Sequence, residues 1–177
     1  MSIQPDTKNW TWVLERPCPE CGFDARSIVH ARVAPMVRAN AGAWQRVLAS
    51  AAVDVRPDAA TWSPLEYGCH VRDVFRTMTG RVDLVLAEAD PMFPNWDQDA
   101  TAVEDAYDTQ DPARVAAELA GAASAFADRF DGLRAEQWIR PGRRSDGAQF
   151  TLESLARYAL HDVVHHLIDV PRLEDPA

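Results

Sequence analysis

Apolar positions recur at helical spacing in four stretches of the chain. From about residue 27 to 52, an Ala-rich segment places Val33, Val37, Trp44, Val47 and Leu48 on one face. Pro35 lies within it, and because proline removes an internal hydrogen bond the regular helix is expected to start near that residue. A second stretch opens on Ser63-Pro64-Leu65-Glu66, a capping box with proline at the first helical position. Tyr67, Val71, Val74, Phe75, Met78, Val82, Val85 and Leu86 carry its period to about Ala89, where Asp90-Pro91 stops it. Asp111-Pro112 starts a third helix through Val115, Leu119, Ala122, Phe126 and Phe130 to about Leu133. Thr151 caps a fourth, with Leu152, Leu155, Ala159 and Val163 toward the core and an end near Val170-Pro171. A loop or small hairpin is expected around Pro141-Gly142 and Asp146-Gly147.

Residues 91–110 are rich in Pro, Asp and Asn and show no period. So long a connection fits a bundle in which the loop runs the length of the molecule, leaving the helices on either side of it parallel. The expected fold is therefore all-α, an up-down-down-up four-helix bundle, with residues 1–26 as an extended arm carrying Trp10 and Trp12. A length of 177 residues, with 47% hydrophobic and 25% charged residues, favours one globular domain spanning 1–177.

Net charge is -9, from 18 Lys and Arg against 27 Asp and Glu. Such a surface repels phosphate backbones, so nucleic acid is not an expected partner. No stretch approaches the roughly 20 apolar residues that span a bilayer, and no leader pattern opens the chain, so the expectation is a cytoplasmic protein without membrane contact. Three cysteines, two of them as Cys18-Pro19-Glu20-Cys21, are not a secreted disulfide framework.

The candidate chemistry lies in the histidines. His161 and His165 are four apart and share a helical face, so they are either two half-buried imidazoles or a pair that can hold one metal ion. His70 lies about seven residues into the second helix, roughly 10 Å from its start at 1.5 Å per residue. If the second and fourth helices run antiparallel, that depth falls level with the pair, which favours a three-histidine site. His166 is rotated about 100° from His165 and is expected to point elsewhere, pairing with Asp162 to stabilise the helix. His30 stands apart.

Trp62-Ser63-Pro64-Leu65-Glu66 leading to His70, with His161-x3-His165 in the last helix and a long second connection, resembles the DinB-like metalloprotein superfamily from about residue 35 to 170. The resemblance implies a four-helix bundle in which His70, His161 and His165 hold a divalent metal, zinc or nickel first among the candidates. It also implies an enzyme related to mycothiol-dependent maleylpyruvate isomerase and the bacillithiol and mycothiol S-transferases, joining a small-molecule thiol to an electrophilic substrate. Three neutral imidazoles leave an ion's charge uncompensated and a coordination position open, which suits activation of a thiol or a water. A metal-dependent hydrolase, or a bundle that binds metal or ligand without catalysis, is the alternative. A homodimer is compatible with either.

Asp73, three residues after His70, is the candidate catalytic carboxylate, with Asp169 a second candidate for orienting ligands. Glu66 is already employed by the cap. Cys18 and Cys21 read as free thiols, a redox pair or half of a second zinc site whose other CxxC is missing, and they are expected to be peripheral to the histidine-bound metal. Cys69 could add a sulfur to that site. Trp10, Trp12 and Trp96 could wall a pocket over the metal, and Arg72, Arg140, Arg143 and Arg144 could bind an acidic substrate.

Overall fold

Four long helices form where the apolar period runs. They are α1 (His30–Leu48), α2 (Pro64–Ala87), α4 (Pro112–Asp128) and α6 (Leu152–His165), with the shorter α3 (Gln98–Glu104) and α5 (Ala135–Trp138) between them. The computed structural model describes residue 3 and residues 8–170. Ser63 and Glu66 make the reciprocal capping box at α2, and the Asp111 and Thr151 side chains accept from the third residues of α4 and α6. These contacts satisfy first-turn amides that no helical carbonyl can reach.

Side-chain bridges fix the helix directions. Arg72 and Arg129 tie the start and end of α2 to the start and end of α4, through Glu118 at 3.0 Å and Asp83 at 2.6 Å, so these two helices are parallel. Arg38 near the start of α1 reaches Asp131 beyond the end of α4, while Gln45 near its end donates to the Ala116 carbonyl at 2.7 Å, so α1 opposes α4. Arg140 donates to the Val85 carbonyl at the end of α2, and its own carbonyl accepts from Leu152 at the start of α6. Since α2 then presents His70 to the far end of α6, α2 and α6 are antiparallel. The order is up-down-down-up, with Trp44, Phe75, Phe126, Leu119 and Leu155 filling the shared core.

The local structure departs from expectation in several places. Helix α1 begins at His30 and takes Pro35 inside it. Ala31, whose carbonyl would have bonded the missing proline amide, is exposed, so water can serve it. The crossover is structured: it holds β1 (Met92–Phe93), α3 capped by Asp97, and a 3-10 turn at Tyr107–Thr109. The foreseen hairpin is β2 (Pro141–Arg144) with β3 (Gln149–Thr151), and β1 adds to β2 in parallel to give a sheet of order β1-β2-β3. Gly142 permits that join, because a Cβ there would lie 2.7 Å from Val85 Cγ2. Helix α6 ends at His165, with turns following to residue 170; Pro171 lies outside the described residues. The arm is not extended: it coils into 3-10 turns at Trp10–Leu14 and Ala25–Ser27 and packs along α6.

Candidate metal centre

Helix α6 presents two adjacent faces at the end of the bundle where α2 begins. A rotation of about 100°, one residue along the helix, separates them. The face carrying Asp162 and His166 meets α2, and the face carrying His161 and His165 meets the N-terminal arm. Asn40 and Trp44 of α1 hold this last turn in place by donating to the Val163 carbonyl, which lacks a helical partner.

On the α2 side, His70 Nε2 lies 3.1 Å from Asp162 Oδ1, and His166 Nε2 lies 3.6 Å from the same oxygen. His166 Nδ1 is 2.7 Å from Asp169, a carboxylate that fixes the ring and directs Nε2 inward. His70 is fully buried, stacked on Trp96 with ring centroids 5.5 Å apart, and its Nδ1 has no hydrogen-bond partner among the described residues. Burial pushes the Asp162 carboxyl up, but the His70 hydrogen bond and the surrounding histidines outweigh this and hold its pKa below the usual range. The carboxylate is therefore ionised near neutrality. Two imidazoles and one carboxylate converging on one point form a donor set suited to a divalent transition metal.

On the arm side, Cys18, Cys21, His161 and His165 bring one donor atom each to within 4.8 Å of all the others. Trp10 covers both rings, at centroid distances of 5.4 Å to His161 and 5.1 Å to His165. Burial lowers the His161 pKa from 6.5 to about 4 and also lowers that of His165, so both are neutral at pH 7.

The three-histidine grouping is thus not what the fold brings together. His161 and His165 share a face as expected, but His70 meets Asp162 and His166, one position further round the helix. Nor does Asp73 join either group. Its carboxylate is held by Arg72 at 2.7 Å, Arg76 at 3.1 Å and the Tyr107 hydroxyl at 2.6 Å. Burial raises its pKa, but Arg72 and Tyr107 outweigh that and keep it below the usual carboxylate range. Cys69 faces the Tyr107 carbonyl, away from the arm. Asp169 does orient a histidine of the α2-side group, though this is His166 and not His165. Of the arginines expected to bind an acidic substrate, Arg72 is engaged by Asp73, Arg140 by backbone carbonyls and Arg143 by Asp90, whereas Arg144, paired with Asp146, lines a cavity beside Asp162. His30 pairs with Glu153 and stacks on Trp138.

A cavity of about 280 Å³ opens over the histidines, lined by Trp10, Trp62, Tyr67, His161, Asp162 and His166 among others. A second of about 550 Å³ adjoins it through Trp10, Tyr158 and Asp162 and extends toward Trp96 and Arg81. Trp10 and Trp96 do wall this region, and Trp12 stacks behind Trp10.

The model of the DinB superfamily matches residues 36–170. The chain belongs to the DinB superfamily. Among curated proteins none matches the chain. A similar solved structure is YfiT from Bacillus subtilis, described as a probable metal-dependent hydrolase with an unusual four-helix bundle topology. It is 20% identical, with a TM-score of 0.65 over 93% of this chain and 87% of that one. No described helix is long and apolar enough to cross a membrane.

Proposed function

We propose that this DinB-superfamily chain is a metal-dependent enzyme acting on a small organic molecule at the α2–α6 end of the bundle, with hydrolysis as the reaction. The observation that carries the reading is the convergence of His70, Asp162 and His166 beneath a cavity that Asp162 and His166 themselves line. These three residues would hold the ion; when bound, it supplies a Lewis acid that polarises an electrophile and acidifies a water or thiol beside it. The description of YfiT as a probable metal-dependent hydrolase supports the same chemistry.

The chain's own groups do the rest. Asp169 holds the His166 tautomer, Trp96 fixes the His70 ring plane, and Trp62 and Trp10 exclude bulk water from the donors. Transfer of a low-molecular-weight thiol, mycothiol-like in kind, is the second reading. Two cavities meeting at Asp162 favour it, because a thiol and its acceptor need more room than a water does.

The test is metal content and turnover of a panel of small esters, amides and activated electrophiles, with and without added thiol. His70→Ala and His166→Ala are expected to lose one equivalent of metal and at least about 100-fold in rate while remaining folded. Turnover that consumes thiol one for one selects the second reading. Unchanged metal content and rate in both variants would contradict the proposal.

A further inference from the structure

The arm's cysteines have no part in the reading above, yet they do not lie at the periphery. The segment Cys18-Pro19-Glu20-Cys21-Gly22 folds as a tight knuckle: the Gly22 amide donates to the Cys18 carbonyl at 2.8 Å, and the Cys18 amide to the Phe23 carbonyl at 2.9 Å. Gly22 closes it at φ +74°, a conformation that a side chain would strain. This turn aims both sulfurs at α6. Cys18 Sγ stands 3.7 Å from His165 Nδ1. Zinc bonds of about 2.3 Å to sulfur and 2.0–2.1 Å to nitrogen, at the tetrahedral angle, put S and N about 3.6 Å apart.

We infer that Cys18, Cys21, His161 and His165 form a Cys2His2 zinc site, distinct from the His70 cluster, that fastens the N-terminal arm to α6. Two further observations point the same way. His161 is 3% exposed and its Nε2 has no hydrogen-bond partner among the described residues. An imidazole nitrogen left so would cost free energy that a ligand bond removes. His165 Nε2, the nitrogen facing away from Cys18, lies 3.4 Å from Glu20, the carboxylate partner that metal-bound histidines usually have. On binding, both thiols give their protons to solvent, and two thiolates neutralise the ion, so no net charge is buried. A closed shell of four protein donors marks the site as structural. A dithiol switch is disfavoured because Cys18 is 1% exposed and thiol exchange needs access. The pocket gains its outer wall from this fastening, since Lys8, Trp10 and Glu20 all belong to the arm.

The experiment uses the full chain with zinc, and with cobalt(II) in its place. Cobalt-loaded wild type should show a thiolate-to-metal charge-transfer band and the intense visible bands of a tetrahedral ion. Cys18→Ser/Cys21→Ser should lose both features and one equivalent of zinc, whereas His70→Ala/His166→Ala should keep them. In wild type, alkylation of the half-exposed Cys21 should be blocked by zinc and restored by a chelator, a readout independent of whether the cysteine variant folds. Cobalt spectra without the thiolate band, or Cys21 alkylation indifferent to zinc, would overturn the site. Loss of the thiolate band in the His70/His166 variant would overturn the separation of the two centres.

Discussion

Asp73 stands one turn from His70 and has the right chemistry for a catalytic carboxylate, but two cations and a hydroxyl claim it first. Arg72, Arg76 and Tyr107 leave it part of a buried network joining α2, α4 and the crossover. Asp73→Asn is therefore expected to lower stability by about 2 kcal/mol, because it removes one of the two carboxylates that pair with the buried Arg72 guanidinium and leaves Glu118 as the other, and to leave metal content unchanged. The pH dependence follows in sign. The folded pKa of Asp73 is depressed, so its contribution is complete above the unfolded carboxylate value of about 4 and is lost as pH falls through the folded value. Chemical denaturation should give a wild-type-minus-variant difference that is constant above about pH 5 and shrinks below about pH 4. Glu66 behaves alike: burial raises its pKa, but Arg56 and the Ser63 amide outweigh it and hold it low.

The starts of α2, α4 and α6 are short-range events legible in the sequence, whereas α1, which has no side-chain cap, begins ahead of the Pro35 start expected for it. Ser63, Asp111 and Thr151 each cap the helix that follows within three residues, and no distant contact is needed to read them. Ser63→Ala is expected to cost about 1 kcal/mol, measured as a shift in the denaturation midpoint at unchanged slope. The facing of α6 was not legible in the same way. Its apolar face and its His161–His165 pair follow from period, but which of two faces 100° apart meets α2 depends on how the arm, α1 and α2 share the helix. Asp162 and His166 read as an intrahelical pair for that reason. The arm coils because Trp10 and Phe23 pack on α6 histidines, a tertiary cause that no periodicity announces. The signal that was present, Cys-x2-Cys with His-x3-His, has the spacing of a Cys2His2 site; nearly the whole chain lies between its halves.

At the scale of the molecule, the long crossover sets the chemistry. By making α2 and α4 parallel it leaves α6 to close the bundle antiparallel to α2, so the start of one meets the end of the other where His70, Asp162 and His166 converge. The arm then folds over the same end, bringing Trp10 above the histidines and the Cys18 knuckle against the outer face of α6. One helix end thus carries two candidate donor sets, one between α2 and α6 and one under the arm, and residues of both line the cavity. The central claim is that these are separate centres. Anomalous diffraction at the zinc absorption edge from crystals of the zinc-loaded full chain tests it directly. The account predicts two peaks, one among Cys18, Cys21, His161 and His165 and one among His70, Asp162 and His166. A single peak bonded to His70, His161 and His165 together would contradict it.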